Sequence, residues 1–137
     1  MDLSLEIAER ILEGAIAAAK DAGMKPLTIV VLDAGGHPVA LKRQDKATFL
    51  RADIATAKAW TALGLDAPSR FFQDMAEQRP HFAGSLSAIS CGRMAPAAGG
   101  VLVQKDGETI GAVGVSGDTP DNDEKAALAG VAATGLV

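Results

Sequence analysis

A single cysteine, Cys91, stands among the 137 residues; tyrosine is absent, and Phe49, Phe71, Phe72, Phe82 and Trp60 are the whole aromatic complement. One thiol cannot close an internal disulfide or build a cysteine zinc cluster. Nor is there a lysine and arginine cluster interleaved with aromatics, and the formal net charge is -4, so the chain lacks the basic stripe that tracks a phosphate backbone and nucleic acid is not an expected partner. Charges interrupt every apolar run well before the roughly 20 residues that a membrane-spanning helix needs. No membrane partner is expected. The acidic start, Met1 to Glu6, has no basic n-region of a secretory signal, which makes the cytoplasm the expected location.

What is present is apolar mass in small pieces. Hydrophobic residues make up 48% and there are 15 glycines, with Ala, Val and Leu holding most of the apolar share. Small side chains fill little volume, so elements must approach closely and a subunit gains burial from partners; a homo-oligomer is expected. The length suits one domain over 1–137.

Taken in order, Asp2 or Ser4 can cap a helix whose apolar stripe runs from Leu5 to Ala19 and which stops at Asp21-Ala22-Gly23. Leu27 to Asp33 is a continuous β-rich run, read as a strand covered on both sides, and Ala34 to His37 turns it into a second strand over 38–45. A helix follows from Ala47 or Leu50 to Leu63, with Ile54, Ala57, Ala59, Trp60 and Leu63 available for its buried side and Gly64 as its stop. A shorter helix ends near Glu77. Residues 78–98 show no clear period and read as loop with a short strand at Leu86 to Ser90. Two apolar strands then meet at Asp106-Gly107, a pair suited to the positive φ values of a hairpin turn. Thr119 or Asp118 caps a last helix, with Pro120 in its first turn. This order does not alternate strand with helix, so the expected fold class is α/β in the α+β sense, an antiparallel sheet of about five strands with helices against it.

Candidate chemistry gathers where these elements end. His37, after Asp33-Ala34-Gly35-Gly36, is a candidate metal or haem ligand or proton-transfer group; the alternative is an Asx turn at Asp33 with a surface histidine. His81, beside Pro80 and Phe82, is a second candidate of the same kind. Arg43, Lys58 and the amide-rich start of the last helix can together hold a carboxylate or haem propionate; the alternative is an Arg43–Asp45 ion pair with Lys58 in solvent. Ser116 lacks the final glycine of a nucleophile elbow, since Asp118 stands there, and reads rather as a backbone-bonding turn residue. The glycines at 111, 114 and 117 do not form a dinucleotide fingerprint. Cys91 and the methionines read as core filling, and Asp121, Asp123 and Glu124 as residues that favour the positive end of a helix.

Laid side by side, Asp33-Ala34-Gly35-Gly36 with Arg43 and Asp45-Lys46-Ala47, Ala57-Lys58-Ala59-Trp60-Thr61-Ala62, and Gly99-Gly100-Val101 followed by Asp106-Gly107, Ile110 to Gly117 and Asp123-Glu124 resemble the GlcG/HbpS family. These small proteins are also called haem-degrading or haem-binding domains, and they are related to the C-terminal domain of PduO. The resemblance covers nearly all of residues 3–134. It implies a profilin-like three-layer α/β/α domain that assembles into dimers and then hexamers or octamers, with haem as candidate cofactor. The sequence has Val101-Leu102 where many relatives carry a proline two residues after the glycine pair.

Three functions follow as expectations. The first is a cytoplasmic oligomer that binds haem or another compact anionic ligand in a pocket lined by Arg43, Lys58, Thr61, Gly99, Gly100, Val101 and Ser116. The second is a small-molecule isomerase, lyase or hydrolase acting on a carboxylate-bearing substrate, with His37 or Asp123 moving the proton. The third is an accessory subunit whose glycines serve only close packing.

Overall fold

Ser4 starts the first helix, its hydroxyl accepting from the Ile7 amide at 3.1 Å, and Gly23 ends it in the left-handed conformation at φ +65°. In this computed structural model, which describes residues 2–137, the elements are α1 (Leu5–Asp21), β1 (Thr28–Asp33), β2 (Pro38–Arg43), α2 (Leu50–Leu65), α3 (Arg70–Gln78), α4 (Pro80–Ile89), β3 (Gly100–Lys105), β4 (Glu108–Ser116) and α5 (Pro120–Ala132). The strands form one antiparallel sheet in the order β2-β1-β4-β3.

Strand β1 lies inside the sheet and is covered on both faces. Ile29 and Val31 join one apolar cluster with Ile11, Leu12 and Ala15 of α1 and Ala126, Ala127 and Val131 of α5. Val30 and Leu32 point the other way, into a second cluster with Ala55, Ala59 and Ala62 of α2. The period-2 alternation of a strand therefore places apolar side chains on both faces, which accounts for the unbroken run at 29–32. The result is three layers, α1 with α5, then the sheet, then α2.

Small residues set how closely the α2 layer sits. A Cβ at Gly114 of β4 would collide with the Ala55 carbonyl oxygen, and one at Gly100 of β3 with the Lys58 carbonyl oxygen. The helix backbone thus lies almost directly on the two strands. The β3–β4 turn has Asp106 at φ +52° and Gly107 at φ +79°, both positive as a two-residue hairpin requires.

Two expectations need correction. Among the described residues the sheet has four strands, not five, because Leu86 to Ser90 belongs mainly to helix α4 (Pro80–Ile89). Only Ala83 of that helix is buried, its apolar Phe82, Leu86 and Ile89 stand at helical spacing but are not buried, and Pro80 serves as its opening residue. The α3–α4 break falls at Arg79, at φ -137° and ψ 65°. The second correction concerns α2, which continues through Gly64 to Leu65 and is stopped by Asp66 in the left-handed conformation. Its fully buried face is Ala55, Lys58, Ala59, Thr61 and Ala62. Ala59, expected on that side, is buried there, whereas Ile54, Ala57, Trp60 and Leu63, also expected there, are half-buried on the flanks of the face that the glycine strands approach.

Candidate functional site

Lys58 and Asp123 meet inside the protein. The Lys58 ammonium donates to Asp123 Oδ2 at 3.0 Å and to the Val115 carbonyl at 3.0 Å, and the two side chains are 3% and 1% exposed. Burial lowers the lysine pKa, opposed by the Asp123 carboxylate, while the Arg51 charge adds to the lowering. Asp123 Oδ1 accepts from the Asp118 amide at 2.9 Å. One ion pair therefore ties α2, β4 and the start of α5 together. The glycine pair makes room for it: Gly99, at φ +132°, would with a Cβ meet Lys58 Cδ and Nζ at 2.9 Å. Next to it, the Gly100 amide donates to Ser69 Oγ at 2.8 Å, and that hydroxyl donates to the Ala97 carbonyl at 2.7 Å. Gly99 and Gly100 thus join the end of the connection from α4 to the start of α3.

The other residues predicted to line a site lie outside that ion pair. Thr61 is buried and holds the connection between α4 and β3, donating to the Ala57 carbonyl at 2.7 Å and accepting from the Ala95 amide at 3.0 Å. Ser116 is buried at the end of β4 and accepts from Arg51 at 3.3 Å. Arg43 is exposed at the end of edge strand β2, and no Arg43–Asp45 ion pair forms among the described residues. His37 is exposed in the β1–β2 turn; Asp33 Oδ1 accepts from the amides of Gly35 and His37, both at 3.0 Å, and lies 3.3 Å from the His37 Nδ1. The His37 amide is the first cause of the lowered Asp33 pKa. His81 is exposed at the start of α4. Asp123 and Lys58 are thus brought together in space, with Gly99 against the Lys58 side chain and Gly100 against its carbonyl. The two histidines are not part of that cluster.

Asp118, just before α5, has its carboxyl pKa lowered to about 2, first by the Lys25 amide and then by the Thr119 amide and the Asn122 side chain. Its Oδ2 accepts from Lys25 at 2.8 Å and its Oδ1 from Thr119 at 2.7 Å. A depressed carboxyl contributes stability that is present above its unfolded pKa of 3.8 and is lost as pH falls toward about 2. Urea unfolding from pH 5 to pH 2 is expected to show a decline that is shallower in Asp118→Asn than in the parent. Parallel declines would show that this carboxyl is not the cause.

A groove of about 540 Å³ runs between α3, β3 and α5. Edge strand β3 runs along it at Val101 and Leu102, whose side chains point to opposite faces of the sheet, with Phe71 and Leu128, 57% and 52% exposed, among its walls. Arg70 lies at its edge, donating to Glu124 at 3.1 Å and to Asp121 at 2.5 Å, contacts that raise its pKa. Of the residues expected to line a pocket, Val101 is in this groove. Arg70, Phe71, Leu102 and Leu128 were not foreseen; they come from three separate elements, and no local motif joins them.

Residues 3–132 match a family described as haem degrading protein HbpS-like. The protein GlcG of Escherichia coli strain K12 is 31% identical over 119 residues, 85% of this chain and 85% of that protein. A solved double mutant of Streptomyces reticuli HbpS is 31% identical with a TM-score of 0.84, covering 96% of this chain and 86% of that one. The crystal structure of a PduOC–haem complex gives a TM-score of 0.90 over 100% of this chain and 98% of the other, at 24% identity, a likeness of fold. The chain spans about a third of the corrinoid adenosyltransferase PduO of Salmonella typhimurium, 32% of its length. No helix among the described residues is long and apolar enough to cross a membrane.

Proposed function

The chain belongs to the HbpS-like family, and on that premise we propose that it binds haem in the groove between α3, β3 and α5. The observation that carries this reading is an open groove of ligand size with Val101, Leu102, Phe71 and Leu128 as its apolar surfaces. Its support from outside the chain is the relative of the same fold crystallised as a haem complex. Phe71, Val101, Leu102 and Leu128 offer apolar contact to a flat macrocycle, Asp74, Gln104 and Glu124 complete the polar part of the lining, and no histidine, cysteine or methionine stands among the lining residues to ligate the iron. Arg70 is already shared between Asp121 and Glu124, and in this reading a propionate takes its remaining donors by displacing one of those carboxylates. Haem supplies the iron and its redox chemistry; the chain supplies the apolar surfaces that exclude water and the cation that orients the acid groups. Among the described residues no group of three or more His, Cys, Asp and Glu side chains is placed to hold a bare metal ion. Iron in this reading therefore enters within its own macrocycle.

The reading includes a cytoplasmic protein that assembles with copies of itself. Phe49 and Ile89, 81% and 75% exposed, are apolar surface that a second subunit would cover. Titration with haemin, followed at the Soret band, is expected to saturate for the parent. Leu128→Glu, at an exposed wall, is expected to weaken binding at least about tenfold by placing a charge against the macrocycle. His37→Ala, outside the groove, is expected to leave the affinity unchanged. Absence of saturation, or equal affinity in parent and Leu128→Glu, would overturn the proposal.

A further inference from the structure

Thr28 is fully buried, and its hydroxyl has no hydrogen-bond partner. Buried polar groups are almost always paired, so this one calls for a partner that the fold does not supply. Its position suggests which kind. Thr28 stands directly opposite Arg43 on β2 and directly opposite Ser116 on β4. Residues opposed in an antiparallel ladder share a face. Here it is the face under α2, because Val30 and Leu32, two and four residues on, pack against that helix. Arg51, in the first turn of α2, reaches down to Ser116 Oγ at 3.3 Å.

Two arginines and two hydroxyls are thus gathered at one end of the sheet, where α2 begins without a side-chain cap. Neither arginine is in an ion pair among the described residues. The nearby acids are committed or face elsewhere: Asp118 is held by Lys25, Thr119 and Asn122, and Asp53 lines a separate cleft with Trp60 and Arg93. Asp45 is exposed in the connection after β2.

We propose that this end of the sheet binds a compact oxyanion, a carboxylate or phosphate group, through Arg51 and Arg43 with the Thr28 and Ser116 hydroxyls as inner donors. A planar guanidinium offers paired donors that match either group. Arg51 is half-buried and bonded to Ser116, so in this reading the Thr28 contact forms as Arg51 moves with the anion.

The test is a titration of the ¹⁵N-labelled protein with sodium phosphate and, separately, sodium acetate, at constant ionic strength with chloride. Saturable shifts are expected at the amides of Thr28, Arg51 and Ser116 and at Arg51 Nε. Saturation by phosphate alone identifies a phosphate site, by acetate alone a carboxylate site, and by both a general oxyanion site. Thr28→Val keeps the branched shape without the hydroxyl and is expected to weaken binding about fivefold, the loss of one hydrogen bond. Arg51→Gln is expected to abolish saturation while the spectrum stays dispersed. Shifts that rise linearly with concentration, or equal affinities in both variants and the parent, would overturn the proposal. A protein that saturates with haemin but with neither anion would overturn this site and leave the groove standing.

Discussion

Asp123→Ala is expected to destabilise the protein by about 3–5 kcal/mol, because it strands the Lys58 ammonium in the interior with only the Val115 carbonyl as partner. The size follows from the difference between losing a pair and losing half of one. Two buried charges at 3.0 Å offset much of each other's desolvation, whereas one left alone carries the full penalty. The Asp118 amide loses its acceptor as well. Lys58→Met combined with Asp123→Leu removes both charges and is expected to be clearly more stable than Asp123→Ala alone. Urea unfolding of parent, single and double variants checks this. Equal stability of Asp123→Ala and parent would mean that the pair is not formed.

Gly114→Ala is expected to cost about 3 kcal/mol, the upper end of what one inserted methyl does to a packed interior. Its Cβ would press on the Ala55 carbonyl, which is backbone and cannot turn aside as a side chain would. Relief requires α2 to lift from β4, which would open the alanine contacts of Ala55, Ala59 and Ala62. Gly84→Ala is the control. It lies in α4 with nothing near its Cβ, and is expected to stabilise by about 0.5–1 kcal/mol through helix propensity alone. Thermal unfolding of the two variants should move in opposite directions. A neutral Gly114→Ala would show that the helix does not rest on that strand.

Much of the fold was legible because local chemistry agreed with the final structure. Ser4, Gly23, Asp106-Gly107 and Thr119-Pro120 each satisfy a backbone requirement within a few residues of themselves, so caps and turns could be read directly. Helix α4 could not be read so directly: Phe82, Leu86 and Ile89 stand at helical spacing, but Gly84, Ser85 and Ser87 between them dilute the apolar signal. The buried face of α2 was hidden for a different reason. Which side of a helix is covered depends on what faces it, and here glycines 39 or more residues later in the chain admit small side chains and a lysine in preference to Ile54 and Trp60.

The candidate site was less legible still. Of Gly99-Gly100-Val101, Val101 lines the groove, and the apolar walls Phe71 and Leu128 lie on helices that the sequence separates by 57 positions. Lys58 read equally well as a ligand-facing cation or a solvated one. In the folded chain it is buried and paired with Asp123, which lies 65 residues away, and no spacing rule connects the two.

The most direct test of the account is where haem sits. In the ¹H–¹⁵N spectrum of the protein with one equivalent of haemin, the iron broadens signals of the residues around it. Broadening is expected to centre on Phe71, Val101, Leu102 and Leu128 and to spare Thr28 and His37. Broadening centred on the β1–β2 turn, or none at any residue, would contradict it.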